Sequence, residues 1–96
     1  MSGLHRAIAR RDKNEREIVT AFRRAGAAVE RLSGKGAPDL VVGFRQRTML
    51  VEVKTSTGDL TPAQREWHAR WPGSRVHIVR GIADVVTLLL SPEEST

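Results

Sequence analysis

Two apolar, partly β-branched runs, DLVVGF at 39–44 and TMLVEVKT at 48–55, lie three polar residues apart near the middle of the chain. Runs of this kind read as strands, and Arg45, Gln46 and Arg47 between them suit a hairpin turn. A chain that carries such a pair has to build a sheet around it. Within the second run, Glu52 and Lys54 interrupt what is otherwise the most buried strand. A charge there is costly unless it is paired or holds a metal. Side chains alternate along a strand, so Glu52 and Lys54 share one face while Val51 and Val53 share the other. Asp39 opens the neighbouring strand directly after Pro38. A turn of two or four residues sets Asp39 across from Glu52 or Lys54 on their own face, and a turn of three sends it to the opposite one.

Helical spacing of Ile18, Val19 and Phe22, with Ala21 and Ala25, predicts a first helix over about residues 13–25, started by Asp12 or Asn14 and stopped by Gly26. Residues 1–11 form a basic arm, either frayed or an irregular extension of that helix. Ala27 to Leu32 reads as a short strand. Ser33, Gly34, Lys35 and Gly36 read as a turn. Thr61, Pro62 and Gln64 carry the signature of a capping box with proline at the first helical position, and Pro72-Gly73 ends the second helix. Arg75 to Arg80 is a fourth strand. Ile82 to Leu90 is a last helix with Ile82, Val85, Val86 and Leu89 inward, and 91–96 is a frayed tail. The expected architecture is an α/β sandwich, a mixed central sheet flanked by helices.

At 96 residues the chain makes one domain, 1–96, around one modest core. Its net charge of +5 is concentrated: residues 1–36 hold nine Lys/Arg against four Asp/Glu, and residues 37–96 hold seven of each. A polyanion such as nucleic acid is the natural partner for a basic end, with a solvated basic tail as the plainer reading. Without cysteine there is no disulfide, thiol nucleophile or cysteine zinc site, and without tyrosine no phosphotyrosyl-DNA intermediate. His5, His68 and His77 lack metal-binding spacing. The Gly34-Lys35-Gly36 segment lacks the frame of a phosphate loop, so no nucleotide cofactor is expected. No apolar stretch reaches the roughly 20 residues that cross a bilayer, and there is no secretory signal, which predicts no membrane association and a cytoplasmic setting.

Two close carboxylates are what a hard divalent cation such as Mg²⁺ requires. Such a cation activates water, and an ammonium such as Lys54 can orient the attacking hydroxide or offset the developing negative charge. Asp39, Glu52 and Lys54 thus supply the parts for hydrolysing a phosphodiester. A Glu-x-Lys pair in a strand is also a common surface salt pair, so the arrangement matters more than either element alone.

Pro38-Asp39, followed after twelve residues by Glu52-Val53-Lys54, resembles the signature of the PD-(D/E)XK nuclease superfamily. The segments GKGAPDLVVGF, MLVEVKT and LTPAQREWHARW resemble its VRR-NUC branch, over about Asp12 to Ile82. Glu15-Arg16-Glu17 and Val29-Glu30-Arg31 also resemble the small archaeal-type Holliday-junction resolvases. The resemblance implies a restriction-endonuclease-like αβββαβ core. It further implies metal ligation by Asp39, Glu52 and the Val53 carbonyl, Lys54 as catalytic lysine, a helical acid, and a Gln near the site at Gln64. Glu15 shares the stripe of Ile18, Val19 and Phe22 and is preferred as that acid, with Glu17 the fallback. Trp67 and Trp71 are expected in the core. Arg16, Arg31 and Lys35, which flank Glu15 and the turn before Asp39, are the candidates for phosphate contacts.

The resulting expectation is an Mg²⁺- or Mn²⁺-dependent DNA endonuclease, selective for branched DNA such as a Holliday junction, flap or fork. It would act as a homodimer, because small stand-alone resemblers need two sites to cut two strands and because Val85 to Leu90 is more apolar than one core needs. The short format suits a phage-like protein. Alternatives are a non-catalytic nucleic-acid-binding accessory module and a sequence-specific restriction-type enzyme, the latter disfavoured by the absence of a recognition insertion.

Overall fold

The structure, a computed structural model, describes residues 3–91, with side chains from Ile8 onward. The tail expected over 91–96 lies outside the described residues except for Ser91. The element order is α1 (Gly3–Arg24), β1 (Ala28–Arg31), β2 (Leu40–Phe44), β3 (Arg47–Val53), α2 (Pro62–Arg70), β4 (His77–Val79) and α3 (Ile82–Leu90). This is the αβββαβ order expected from the sequence, closed by a final helix. No helix among the described residues is long and apolar enough to cross a membrane.

α1 runs unbroken from Gly3, so residues 3–11 of the basic arm are a regular part of the first helix. No proline interrupts residues 4–24, and alanine and arginine there favour helix. It stops at Gly26, whose φ of 98° lets its N–H reach Arg23 O at 3.0 Å while the Ala27 N–H reaches Phe22 O at 3.0 Å. That paired closure is a Schellman motif, which needs a left-handed residue where glycine stands.

The sheet is four-stranded in the order β1-β2-β3-β4, antiparallel except for the parallel β3–β4 pair, which α2 connects. The β2–β3 hairpin turns through two residues only, Arg45 (φ 49°) and Gln46 (φ 70°), because Arg47 already pairs with Phe44. Positive φ at both positions marks a type I′ turn, built here from residues that adopt it at a cost. Replacing Arg45-Gln46 with Asn-Gly should therefore stabilise the domain by about 1 kcal/mol, a rise of roughly 4 to 8 °C in melting temperature. An unchanged or lower melt would show that the native pair is not strained.

One face of the sheet carries the core. Val29, Leu40, Val42, Met49, Val51, Val53 and Val79 pack with Ile18, Val19 and Phe22 of α1 and with Val85 and Leu88 of α3. α3 sits differently from expectation, with Val85 and Leu88 buried, Leu89 half-buried, and Ile82, Val86 and Leu90 turned outward. The helix is apolar on nearly every side, so periodicity alone does not choose its inner face. Its orientation is anchored by Asp84, whose Oδ2 accepts the Arg80 N–H at 2.8 Å.

The opposite face of the sheet receives α2, which contributes no buried residue. The two tryptophans are accordingly not in the core: Trp67 is half-buried and Trp71 is 42% exposed. Their rings stack on each other with centroids 4.9 Å apart. On this face Glu52 and Lys54 interrupt the apolar Val41, Leu50 and Ile78, and Trp67 also meets the His68 ring edge-on at 6.2 Å.

Candidate active site

The two-residue turn decides the register. Leu40 pairs with Val51, so Asp39, the next residue outward, lies across from Glu52 on the same face. The Asp39 N–H donates to Val51 O at 3.0 Å, and Asp39 Oδ2 accepts the Val53 N–H at 2.7 Å. The carboxylate of Asp39 is thus locked against the peptide that joins Glu52 to Val53.

Glu52 is the one buried charged residue among those described, 1% exposed. Burial, first, and then the adjacent Asp39 push its carboxyl up to about 8, with Glu15 adding to the rise and Lys54 opposing it. Gln64 Nε2 donates to Glu52 Oε2 at 3.1 Å. Glu52 Oε1 has no hydrogen-bond partner and lies 3.6 Å from the equally unpartnered Nε2 of His68. The His68 ring is held below the usual histidine range, by burial and then by the charge of Lys54.

Gln64 carries two duties in one amide. Its Oε1 accepts the Thr61 N–H at 2.8 Å, and the Gln64 backbone N–H donates to Thr61 Oγ1 at 3.2 Å, completing the capping box that starts α2. The same Oε1 accepts from Lys54 Nζ at 2.7 Å. The amide therefore spans the lysine and the buried glutamate. Asp39, Glu52, Lys54 and Gln64 are brought together, with the Val53 peptide alongside.

The remaining candidates sit further out. Glu15 is engaged by Arg31 at 3.1 Å, so the helical acid and one expected phosphate contact pair with each other. Glu17 turns outward and lies 4.0 Å from Lys13. Glu15 is nonetheless the helical acid whose charge reaches Glu52. Lys35 is exposed on the turn before β2. Arg16 lines an open, largely apolar groove of about 960 Å³ between α1, α3 and Phe44, apart from the carboxylates.

Three residues with roles here were not singled out from the sequence. Asn14, read only as a helix cap, donates from Nδ2 to Lys54 O at 2.9 Å and Arg80 O at 3.3 Å, tying α1 to the ends of β3 and β4. Arg80 grips Thr55 O at 2.8 Å and Gly58 O at 2.6 Å, fixing the loop that leaves Lys54. His68 follows Gln64 by four residues, a helical spacing that puts both on one side of α2, but it carries no metal-binding spacing to mark it in the sequence.

The donor set suits a hard divalent cation: two neighbouring carboxylates, one of them buried with an unsatisfied oxygen. Among the described residues no group of three or more His, Asp or Glu is close enough to hold a metal by itself. Two carboxylates with water and substrate oxygens completing the shell is the usual way Mg²⁺ is held.

The VRR-NUC domain family model matches residues 6–83, which span every site residue described above. A solved structure of a VRR_NUC domain superposes with a TM-score of 0.70 at 29% sequence identity, covering 82% of this chain and 92% of that one. No curated protein matches. With Asp39, Glu52, Lys54 and Gln64 gathered on one face inside the matched span, the chain belongs to the VRR-NUC domain family, a family of nucleases.

Proposed function

We propose that this nuclease domain is a Mg²⁺- or Mn²⁺-dependent DNA endonuclease selective for branched DNA, working in the cytoplasm as a homodimer. The observation that supports the metal-dependent part is the placement of Asp39, bonded to the Val53 N–H, beside Glu52, a buried carboxyl with one oxygen left without a hydrogen-bond partner. A site that strains to ionise its glutamate without a cation is completed by one. Asp39, Glu52 and the Val53 carbonyl would hold the metal, which when bound would supply an acidified water and a positive field for the scissile phosphate.

The protein's own groups do the rest. Lys54, held at 2.7 Å by Gln64, presents an ammonium that offsets charge building on the phosphate oxygens or orients the attacking water. Gln64 keeps that ammonium from collapsing onto Glu52, since the amide oxygen takes the lysine and the amide nitrogen takes the carboxylate. Arg16, Arg31 and Lys35 supply phosphate contacts that position DNA without reading bases. Glu15, near the site through its charge, is positioned to take a coordinated water once Arg31 turns to a phosphate. The exposed Ile82, Val86 and Leu90 stripe of α3, which lines the apolar groove, supports the dimer.

Purified protein incubated with Mg²⁺, Mn²⁺ or EDTA on single-stranded, duplex, flap, fork and four-way-junction DNA tests the reading. Cleavage is expected with either metal, absent in EDTA, and fastest on branched substrates. Cutting in EDTA would sink the mechanism. Equal rates on plain duplex would sink the branched-DNA selectivity, and a folded protein that binds but never cuts would favour a non-catalytic module.

A further inference from the structure

His68 stands one helical turn beyond Gln64 on α2, which sets both side chains over β3. Gln64 takes one oxygen of Glu52 at 3.1 Å, and His68 Nε2 stops 3.6 Å from the other. Both Nε2 and Oε1 are buried, and neither has another hydrogen-bond partner. Buried polar atoms are nearly always paired, so two orphans facing each other are an unfinished hydrogen bond rather than two separate defects. The gap is too short to seat a water in good geometry between them. It exceeds a good N–H to carboxylate contact by only about 0.7 Å.

We propose that His68 is a positioning residue for Glu52: its Nε2–H donates to Oε1 while Gln64 donates to Oε2, so that α2 clamps both oxygens of one carboxylate. The clamp fixes the plane of the carboxylate and thereby the direction of the lone pairs left for the cation shared with Asp39. This inference rests on the metal-dependent reading above. Groups that orient a ligating side chain typically change metal affinity by about 10- to 100-fold. The ring itself is not a ligand in this arrangement, because a hard cation at the two carboxylates prefers oxygen.

Mn²⁺ binding by calorimetry on the full chain without DNA distinguishes the possibilities, with wild type, His68→Ala, His68→Leu, His68→Gln and Asp39→Asn compared. His68→Ala and His68→Leu are expected to weaken Mn²⁺ binding by about 10- to 100-fold, and His68→Gln, which keeps an N–H donor, by only about threefold. Leucine fills the space of the ring, so a folded His68→Leu protein answers the question even where alanine unfolds. Wild-type affinity in His68→Leu overturns the proposal, as does an equal loss in leucine and glutamine variants. Nitrogen coupling to bound Mn²⁺ in pulsed EPR, lost in His68→Leu, would make the ring a ligand and also overturn it. Should wild type and Asp39→Asn bind Mn²⁺ equally poorly, the metal-dependent reading falls and takes this inference with it. If Asp39→Asn abolishes binding while His68→Leu does not alter it, only the inference falls.

Discussion

Asp39→Asn is expected to lower cleavage by roughly 10²- to 10³-fold or more while leaving DNA binding within a few-fold of wild type. The substitution removes a negative charge from the carboxylate pair proposed to hold the cation, keeps the shape of the side chain, and relieves the upward push of Asp39 on the Glu52 carboxyl. Asparagine keeps a carbonyl oxygen where Asp39 Oδ2 now accepts the Val53 N–H at 2.7 Å, so β2 and β3 stay joined at the site. Asp39→Ala is the poorer test. It would strand that N–H at a cost of about 1 to 3 kcal/mol and confuse lost chemistry with lost structure. Single-turnover cleavage with Mg²⁺, beside fluorescence anisotropy of binding in EDTA, separates the two. An Asp39→Asn protein that cuts at the wild-type rate would remove Asp39 from the chemistry, and one that no longer binds would make it a binding residue.

The second large effect concerns stability. In EDTA the wild-type protein should lose stability steadily between about pH 4.5 and pH 8, the range over which burial and Asp39 raise the Glu52 carboxyl. Below that window the folded and unfolded chains both hold the proton, and the contribution of protonated Glu52 is complete. Within it the unfolded chain releases a proton that the folded protein keeps, and this one group weakens the fold by up to about 1.4 kcal/mol per pH unit. Above pH 8 the loss is complete, several kcal/mol in all. Thermal melts in EDTA across pH 5 to 9 should therefore show a falling midpoint for wild type. Glu52→Gln lacks the titrating carboxyl and should give a flatter profile that crosses above wild type at the alkaline end. Mn²⁺ added at pH 8 should restore wild type and not the variant. Parallel profiles for the two proteins would mean that Glu52 ionises without penalty in the fold.

Much of this site could be read before any coordinates, for a reason specific to strands. A period of two is so rigid that Glu52 and Lys54 had to share a face, and only the length of the turn was left to bring Asp39 to it. Arg45 and Gln46 gave little warning of a two-residue turn, because neither is a usual left-handed residue. Gln64 was legible twice over, as a cap and as a neighbour of the carboxylates, and its one amide closes the capping box while bridging Lys54 and Glu52. Helix faces were harder. Trp67 and Trp71 have the right spacing for burial, but spacing cannot report that α2 lies over the polar face of the sheet. Ile82 to Leu90 offers too many apolar residues for periodicity to select among. Contacts between distant backbone carbonyls and single side chains, such as those of Asn14 and Arg80, leave no periodic trace and emerge only with the fold. The partnership of Glu15 with Arg31 is of the same kind, since it depends on how α1 lies against β1.

The seating of α2 has a consequence beyond catalysis. α1, α3 and the sheet share one apolar core, whereas α2 buries nothing completely and meets the sheet through Gln64 and His68 at Glu52 and Lys54. Its other firm attachment is the close approach of Gly36 to the Ala63 backbone, where any side chain at 36 would come within 2.4 Å of the Ala63 oxygen. The domain thus has two tiers of order: a body held by its apolar core, and a helix with no fully buried residue that is tied in by polar groups of the site. Disturbing those groups is therefore expected to loosen α2 before the apolar core gives way, as a local opening rather than global unfolding.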